Sequence, residues 1–156
     1  MMKFNIQKNI NLLNYTTIKV GGQTEYFAEP TNIYELKNIL KWAINKNINC
    51  QIFGAGSNLL ISGNIWKGLF ICTKKLKAIN LNPETGILEA ESGVMLPTIS
   101  NLLAKNSCMG GEWSIGIPGT VGGAIFMNAG YGDFSISKHL ISVKVIDIQT
   151  LNIFNI

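Results

Sequence analysis

The sequence predicts an α+β domain. Two patterns carry that reading. A strand, an amphipathic helix and a second strand follow one another between Glu25 and Phe53. Further on, short apolar runs alternate with glycine-rich blocks, and a second helix opens at Pro97. At 156 residues the chain has the size of one domain and can bury a core without disulfides.

Taken in order, residues 1–15 predict a polar, loosely helical lead, because Ile6, Ile10 and Leu13 recur at helical spacing. Thr16 to Val20 predicts a short extended piece ending at Gly21-Gly22. Glu25 to Glu29 predicts a strand, stopped by Pro30. A helix should follow: Asn32 suits the N-cap, and Glu35 three residues on makes a capping-box-like pair. Ile33, Leu36, Ile39, Leu40, Ala43 and Ile44 then form one apolar face. Cys50 to Phe53 is the next strand, and this βαβ unit predicts two parallel neighbours in one sheet. Leu69 to Cys72, Ile87 to Glu91 and Leu140 to Ile148 predict further strands. The second helix places Leu96, Ile99, Leu102 and Leu103 on its apolar side. Ile153 to Ile156 looks like the return strand of a hairpin.

Composition excludes several classes. An apolar fraction of 47% with only 14% charged residues is incompatible with intrinsic disorder. The net charge of +4 is not a nucleic-acid signature. All 13 basic residues are lysine, and 23 Ile and 18 Asn accompany them. Phosphate and base readers rely on arginine forks, which are missing here. Lys74, Lys75 and Lys77 read as a solvated turn. Cys50, Cys72 and Cys108 lack C-x-x-C spacing, which predicts reduced, mostly buried thiols. The single histidine, His139, cannot build a metal site, so none is expected. No apolar run reaches the length of a membrane span, and the polar start lacks a secretory apolar core. A cytoplasmic location is the expectation.

Two glycine blocks are the candidate functional segments. Gly54-Ala55-Gly56-Ser57-Asn58 follows a predicted parallel strand, where open sheets place ligands. It is neither a Rossmann fingerprint, since Leu59 stands where a third glycine is needed, nor a P-loop. It forms either an anion-binding nest of backbone amides or a tight strand-ending turn. The second block runs Gly116-Ile117-Pro118-Gly119-Thr120-Val121-Gly122-Gly123-Ala124 and on to Asn128-Ala129-Gly130. Pro118 suits a helix start, and a helix beginning near Thr120 would aim free N–H groups at a ligand. Gly122 and Gly123 imply that a flat cofactor or another backbone lies against it. Glu112, Trp113, Tyr131 and Asp133 flank the block but form no nucleophile–base pair.

These residues carry a resemblance. Thr16-Thr17-x-x-x-Gly21-Gly22, the Gly54 to Leu60 segment, and the Gly116 to Ala124 segment with Met127 to Gly130 resemble the UDP-N-acetylenolpyruvoylglucosamine reductase family, from about Asn14 to Ile148. The resemblance implies a vanillyl-alcohol-oxidase-type (PCMH-type) FAD-binding fold of two α/β lobes, here residues 1–72 and 73–156, without the C-terminal substrate domain. It implies non-covalent FAD held by Gly54, Ala55, Gly56, Ser57, Asn58 and Leu59 at the pyrophosphate. Gly116, Ile117, Pro118, Gly119, Thr120, Gly122 and Gly123 would line the isoalloxazine and the rest of the pyrophosphate. Asn128, Ala129 and Gly130 would lie beside the flavin.

It also implies NADPH as hydride donor, a sugar-nucleotide substrate and a role in peptidoglycan synthesis. The family's arginine, in a Tyr-Arg-x-Ser segment, and its proton-donating serine and glutamate lie beyond the matched stretch. No catalytic residue is therefore expected within these 156 residues, and the chain alone is expected to be inactive. A non-catalytic flavin- or nucleotide-binding module is the alternative, as is another FAD-linked oxidoreductase of this fold. Neither sequence nor resemblance gives an oligomeric state.

Overall fold

A computed structural model describes residues 4–156. The first element is not the expected helical lead, whose residues 1–3 lie outside the described ones. It is strand β1, Gln7–Asn11. The helical spacing of Ile6, Ile10 and Leu13 is overridden by long-range pairing, because β1 docks antiparallel on β2, Gln23–Ala28, with Ile10 opposite Thr24. Asn11 then caps a short 3₁₀ turn, Leu12–Tyr15, its Oδ1 accepting from the Leu13 amide at 3.0 Å. Residues 16–22 form a hydrogen-bonded loop in place of the expected extended piece. Thr16 Oγ1 donates to the Val20 carbonyl at 3.0 Å, and Lys19 adopts φ 59°.

Helix α1, Ile33–Asn45, forms where its punctuation predicts. Asn32 Oδ1 accepts from the Glu35 amide at 2.9 Å. The Glu35 carboxylate reaches one residue further back than a capping box requires, to the amide and hydroxyl of Thr31. Leu36, Ile39, Leu40 and Ala43 are buried.

Strands β3, Cys50–Phe53, and β4, Trp66–Cys72, complete a four-stranded sheet ordered β1-β2-β4-β3. Here the expectation from the βαβ unit needs correction. β2 and β3 are parallel but not adjacent; β4 lies between them, parallel to both. Burial explains the order. β4 carries four consecutive buried residues, Leu69 to Cys72, the pattern of a strand covered on both faces, whereas Gln51 and Ile52 of β3 are exposed as an edge permits. One face of the sheet packs Ala28, Leu69 and Ile71 against α1. The other buries Leu12, Phe27, Phe53, Ile61, Phe70 and Cys72.

Beyond β4 the chain builds a second core. β5, Ile79–Asn82, which the sequence reading missed, pairs antiparallel with β6, Ile87–Ala90. Asn82 Oδ1 closes their turn by accepting from the Glu84 amide at 3.0 Å, and Gly86 sits at φ 70°. Helix α2, Leu96–Lys105, starts with a proline in its first turn as predicted. Helix α3, Val121–Met127, is capped by Thr120; Pro118 lies before it in the loop and not at its start. Val94, Leu96, Val121, Ala124 and Ile136 form the core of this half.

A two-residue ladder follows, β7 (Gly130–Tyr131) with β8 (Phe134–Ser135). The predicted strand over 140–148 narrows to β9, Lys144–Ile146. Its partner is β10, Ile153–Asn155, the hairpin return read from the sequence. Ile146 and Leu151 of this hairpin pack on the core beside α1. The three cysteines are free, with Cys72 buried. His139 is exposed, its ring stacked on Trp113 at 5.7 Å between centroids. No helix among the described residues is long and apolar enough to cross a membrane.

Candidate cofactor-binding site

The two glycine blocks meet at the carboxyl end of β3. Gly54 leaves that strand directly beneath Thr120, so closely that a Cβ on Gly54 would overlap Thr120 Oγ1. A Cβ on Gly119 would lie 3.8 Å from Ser57 Oγ. A third segment joins them. Gly56 packs on the Tyr15 carbonyl, and the Thr17 amide donates to the Gly56 carbonyl at 3.2 Å. Gly56 has φ 68°, a conformation that glycine adopts without strain. From below, Thr73 Oγ1 donates to the Phe53 carbonyl at 3.2 Å and the Cys72 thiol to the Gly54 carbonyl at 3.4 Å.

This geometry separates glycines required by packing from glycines that face open space. Gly54 and Gly56 belong to the first group, and so does Gly122, whose Cβ would lie 2.8 Å from Ser92 Cβ. Gly130 is held against the Phe134 carbonyl in the β7–β8 ladder. In contrast, a Cβ on Gly116 would meet nothing within 4 Å, and one on Gly123 would meet only its own cap, Thr120 Oγ1, at 3.5 Å. The amides divide too. Those of Ala55, Gly56, Ser57, Gly116 and Gly119 find no acceptor among the described residues.

The amides at the start of α3 are not free, contrary to the sequence expectation. Val121 donates to the Val94 carbonyl at 2.8 Å, Gly122 to the Ser92 carbonyl at 2.9 Å and Gly123 to Thr120 Oγ1 at 3.4 Å. The loop before α2 has taken the place a phosphate would occupy. The remaining predicted residues are distributed around the junction. Leu59 is half-buried against the core on the sheet face opposite α1, and Asn58 is exposed. Asn128 ends α3 in a left-handed conformation, φ 45°, and its Oδ1 accepts from the Ser137 amide at 3.3 Å. Ala129 accepts from the Ile136 amide at 2.9 Å.

Two cavities border the glycine loops. A polar one of about 280 Å³ is lined by Gly54 and Ala55 together with Tyr15, Lys19, Glu29, Cys72 and Lys74. Gly54 and Ala55, with Thr16 and Thr17 beside them, belong to motifs visible in the sequence, whereas Tyr15, Lys19, Glu29, Cys72 and Lys74 carry no local signal; the sheet order brings them together. Lys75 Nζ lies 3.1 Å from Glu29 Oε2, and this bond raises the lysine pKa. Burial, followed by the charge of Glu29, pushes the Tyr15 hydroxyl up. Burial likewise raises the Cys72 thiol, keeping it protonated and unreactive. An apolar cavity of about 460 Å³ opens over Gly116 and Ile117, walled by Trp113, Ile115, Tyr131 and Phe134 with Glu112 at its rim.

Open amides on two converging loops, the second of which borders an apolar aromatic hollow, suit a ligand that joins phosphates to a flat ring. Residues 24–150 match the FAD binding domain family. The chain belongs to that family. As an FAD-binding domain it is similar to UDP-N-acetylenolpyruvoylglucosamine reductase of Prochlorococcus marinus subsp. pastoris, 54% identical over the whole chain and 53% of that relative. The reductase of the same name from P. marinus strain NATL2A is 44% identical over 95% of the chain and 51% of the relative. The chain thus spans about half the length of the curated relatives it matches.

Among solved structures, p-cresol methylhydroxylase aligns over 88% of the chain and 28% of its own length, at TM-score 0.66 and 16% identity. CrmK, a flavoenzyme of caerulomycin biosynthesis, covers the whole chain with 34% of its own length, at TM-score 0.64 and 17% identity. At these identities the likeness shows the fold, which is the PCMH-type FAD-binding fold.

Proposed function

We propose that this chain is the FAD-binding part of an NADPH-dependent reductase. The substrate would be UDP-N-acetylglucosamine enolpyruvate and the product UDP-N-acetylmuramate, for cell-wall peptidoglycan in the cytoplasm. The observation that carries the reading is the junction of Gly54–Ser57 with Gly116–Thr120, which leaves backbone donors from both loops unpaired. The relatives' shared name supports the reaction class.

The residues present fit FAD. The amides of Ala55, Gly56 and Ser57 would hold the diphosphate, with Ser57 Oγ and Asn58 at the edge of the loop. Gly116, Ile117, Pro118 and Gly119 would border the ring system, Gly116 and Gly123 leaving room that a side chain would fill. Gly122 would contribute by close packing and Thr120 by holding the loops together. Leu59, Asn128, Ala129 and Gly130 would support the site from beneath and beside it. FAD, when bound, supplies the hydride relay from NADPH to the enolpyruvyl double bond. The chain's own part is to orient the cofactor and exclude water from one side of it.

We also assign no catalytic acid or base to these 156 residues. Two lobes, residues 1–72 and 73–156, would embrace the cofactor. A direct test adds FAD to the purified chain, removes excess by desalting, and records the flavin spectrum. Retained flavin, with no oxidation of NADPH in the presence of the enolpyruvyl substrate, is the expected result. A folded chain that retains no flavin refutes the cofactor assignment, and turnover refutes the absence of catalytic groups.

A further inference from the structure

We infer that Thr120 is a positioning residue, a spacer that fixes how far apart the two glycine loops stand, and that its hydroxyl serves the chain and not the ligand. The inference rests on the FAD reading above and adds a role for one residue to it. Thr120 is only 1% exposed, so its side chain is turned away from the open side of the site. Its Oγ1 faces two groups of the chain: the Gly123 amide, from which it accepts at 3.4 Å, and the Cα hydrogens of Gly54, where a methyl group would overlap it. Its Cβ and Cγ2 would each lie 3.2 Å from that same methyl. The side chain therefore stands directly against Gly54 at the end of β3, with all three of its heavy atoms near the place a methyl there would take.

The backbone of Thr120 is tied as firmly. It forms an isolated bridge to Met95, and the Leu96 amide donates to the Gly119 carbonyl at 3.0 Å. On the other side, Cys72 and Thr73 hold the carbonyls of Gly54 and Phe53. Each loop is anchored to its own half of the fold, and Thr120 against Gly54 is where the anchors meet. A diphosphate bound by amides from both loops is sensitive to that spacing, since hydrogen bonds weaken steeply once length and angle are lost.

A size-swap cycle tests the inference. Gly54→Ala forces the loops apart and should weaken FAD binding by about tenfold or more. Thr120→Gly removes the obstacle and retains most of the capping preference. The double variant should bind FAD more tightly than Gly54→Ala alone, with its flavin absorption band returned to the wild-type shape. A hydroxyl that touched the ligand would make the two losses multiply, and that result overturns the spacer role. If Gly54→Ala alone does not fold, a folded double variant is the same rescue.

Thr120→Ser and Thr120→Val give the second arm. Serine keeps Oγ1 and should stay within about threefold of wild type, whereas valine places a bulkier methyl against Gly54 and should lose about tenfold. Equal binding by the valine variant overturns the inference. The same five variants are compared with wild type for urea midpoint without FAD. If wild type binds no FAD, the FAD reading falls, and rescue of the midpoint by the double variant still decides whether Thr120 spaces the loops.

Discussion

A methyl group added in the mind to each glycine of the site separates two roles that the sequence merges. Gly54 and Gly122 have no room for it, and neither does Gly56, which also needs φ 68°. Gly123 has room, yet lies in the first turn of α3, where alanine is the better helix former by about 0.8–1 kcal/mol. Keeping glycine there forgoes stability for the sake of open space. Gly123→Ala should thus stabilise the ligand-free chain by about 0.5–1 kcal/mol and weaken FAD binding. Urea denaturation and a fluorescence titration with FAD measure the two effects; a variant that gains stability and binds FAD as wild type shows that no ligand uses that space.

Cys72 gives a second prediction at the residue scale. Burial raises its pKa above the ordinary 9.0, so the folded chain holds the thiol proton more tightly than the unfolded chain does. The associated stability is complete below pH 9 and is lost as pH rises through the folded-state value. Cys72→Ala should flatten part of the fall in stability as pH rises above 9, by urea midpoint at each pH. An unchanged slope removes Cys72 as a cause. Cys50, raised by burial as well, accounts for part of what remains.

At the scale of elements, helix α1 was legible because its signals are local: a cap, an acidic third residue and one apolar face within 13 residues. Asn32→Ala removes the acceptor for the Glu35 amide and should cost about 1 kcal/mol, read as a lower melting temperature with unchanged far-ultraviolet ellipticity per folded molecule. No loss would mean that Glu35 and Thr31 suffice to hold the turn. β1 was illegible for the opposite reason. Its partner is β2, and nothing in Gln7–Asn11 records that pairing. The position of β4 between β2 and β3 was likewise hidden, although its unbroken run of buried residues is the pattern of a central strand.

The candidate site divides in the same way. Both glycine loops stood out as composition, and they do converge at Gly54 and Thr120. The fate of the α3 amides was invisible, because their acceptors, Ser92 and Val94, come from the loop before α2. Tyr15, Glu29 and Lys74 reach the polar cavity from separate segments that only the sheet order brings together.

For the whole molecule, the question is whether its two halves fold as one. Three sets of contacts cross between them. Gly54 packs on Thr120; Leu76 is buried in the core beside α1, its carbonyl accepting from the Gly93 amide at 2.9 Å; and Ile146 and Leu151 of the β9–β10 hairpin pack on that same core. The last set matters most, since the hairpin carries apolar side chains back across the molecule to the first core. Two cores tied by a returning segment should melt together. Trp42 and Trp66 report on the first half and Trp113 on the second, so variants that keep Trp42 alone or Trp113 alone can follow each half during urea unfolding. Coincident midpoints are expected. FAD at about 100 times its dissociation constant should raise both by the same free energy, about 2.7 kcal/mol, because a ligand gripped by both loops stabilises only the joined state. Separate midpoints, with FAD shifting one and leaving the other, would mean that the loops belong to independent units and that the cofactor is held by a single half.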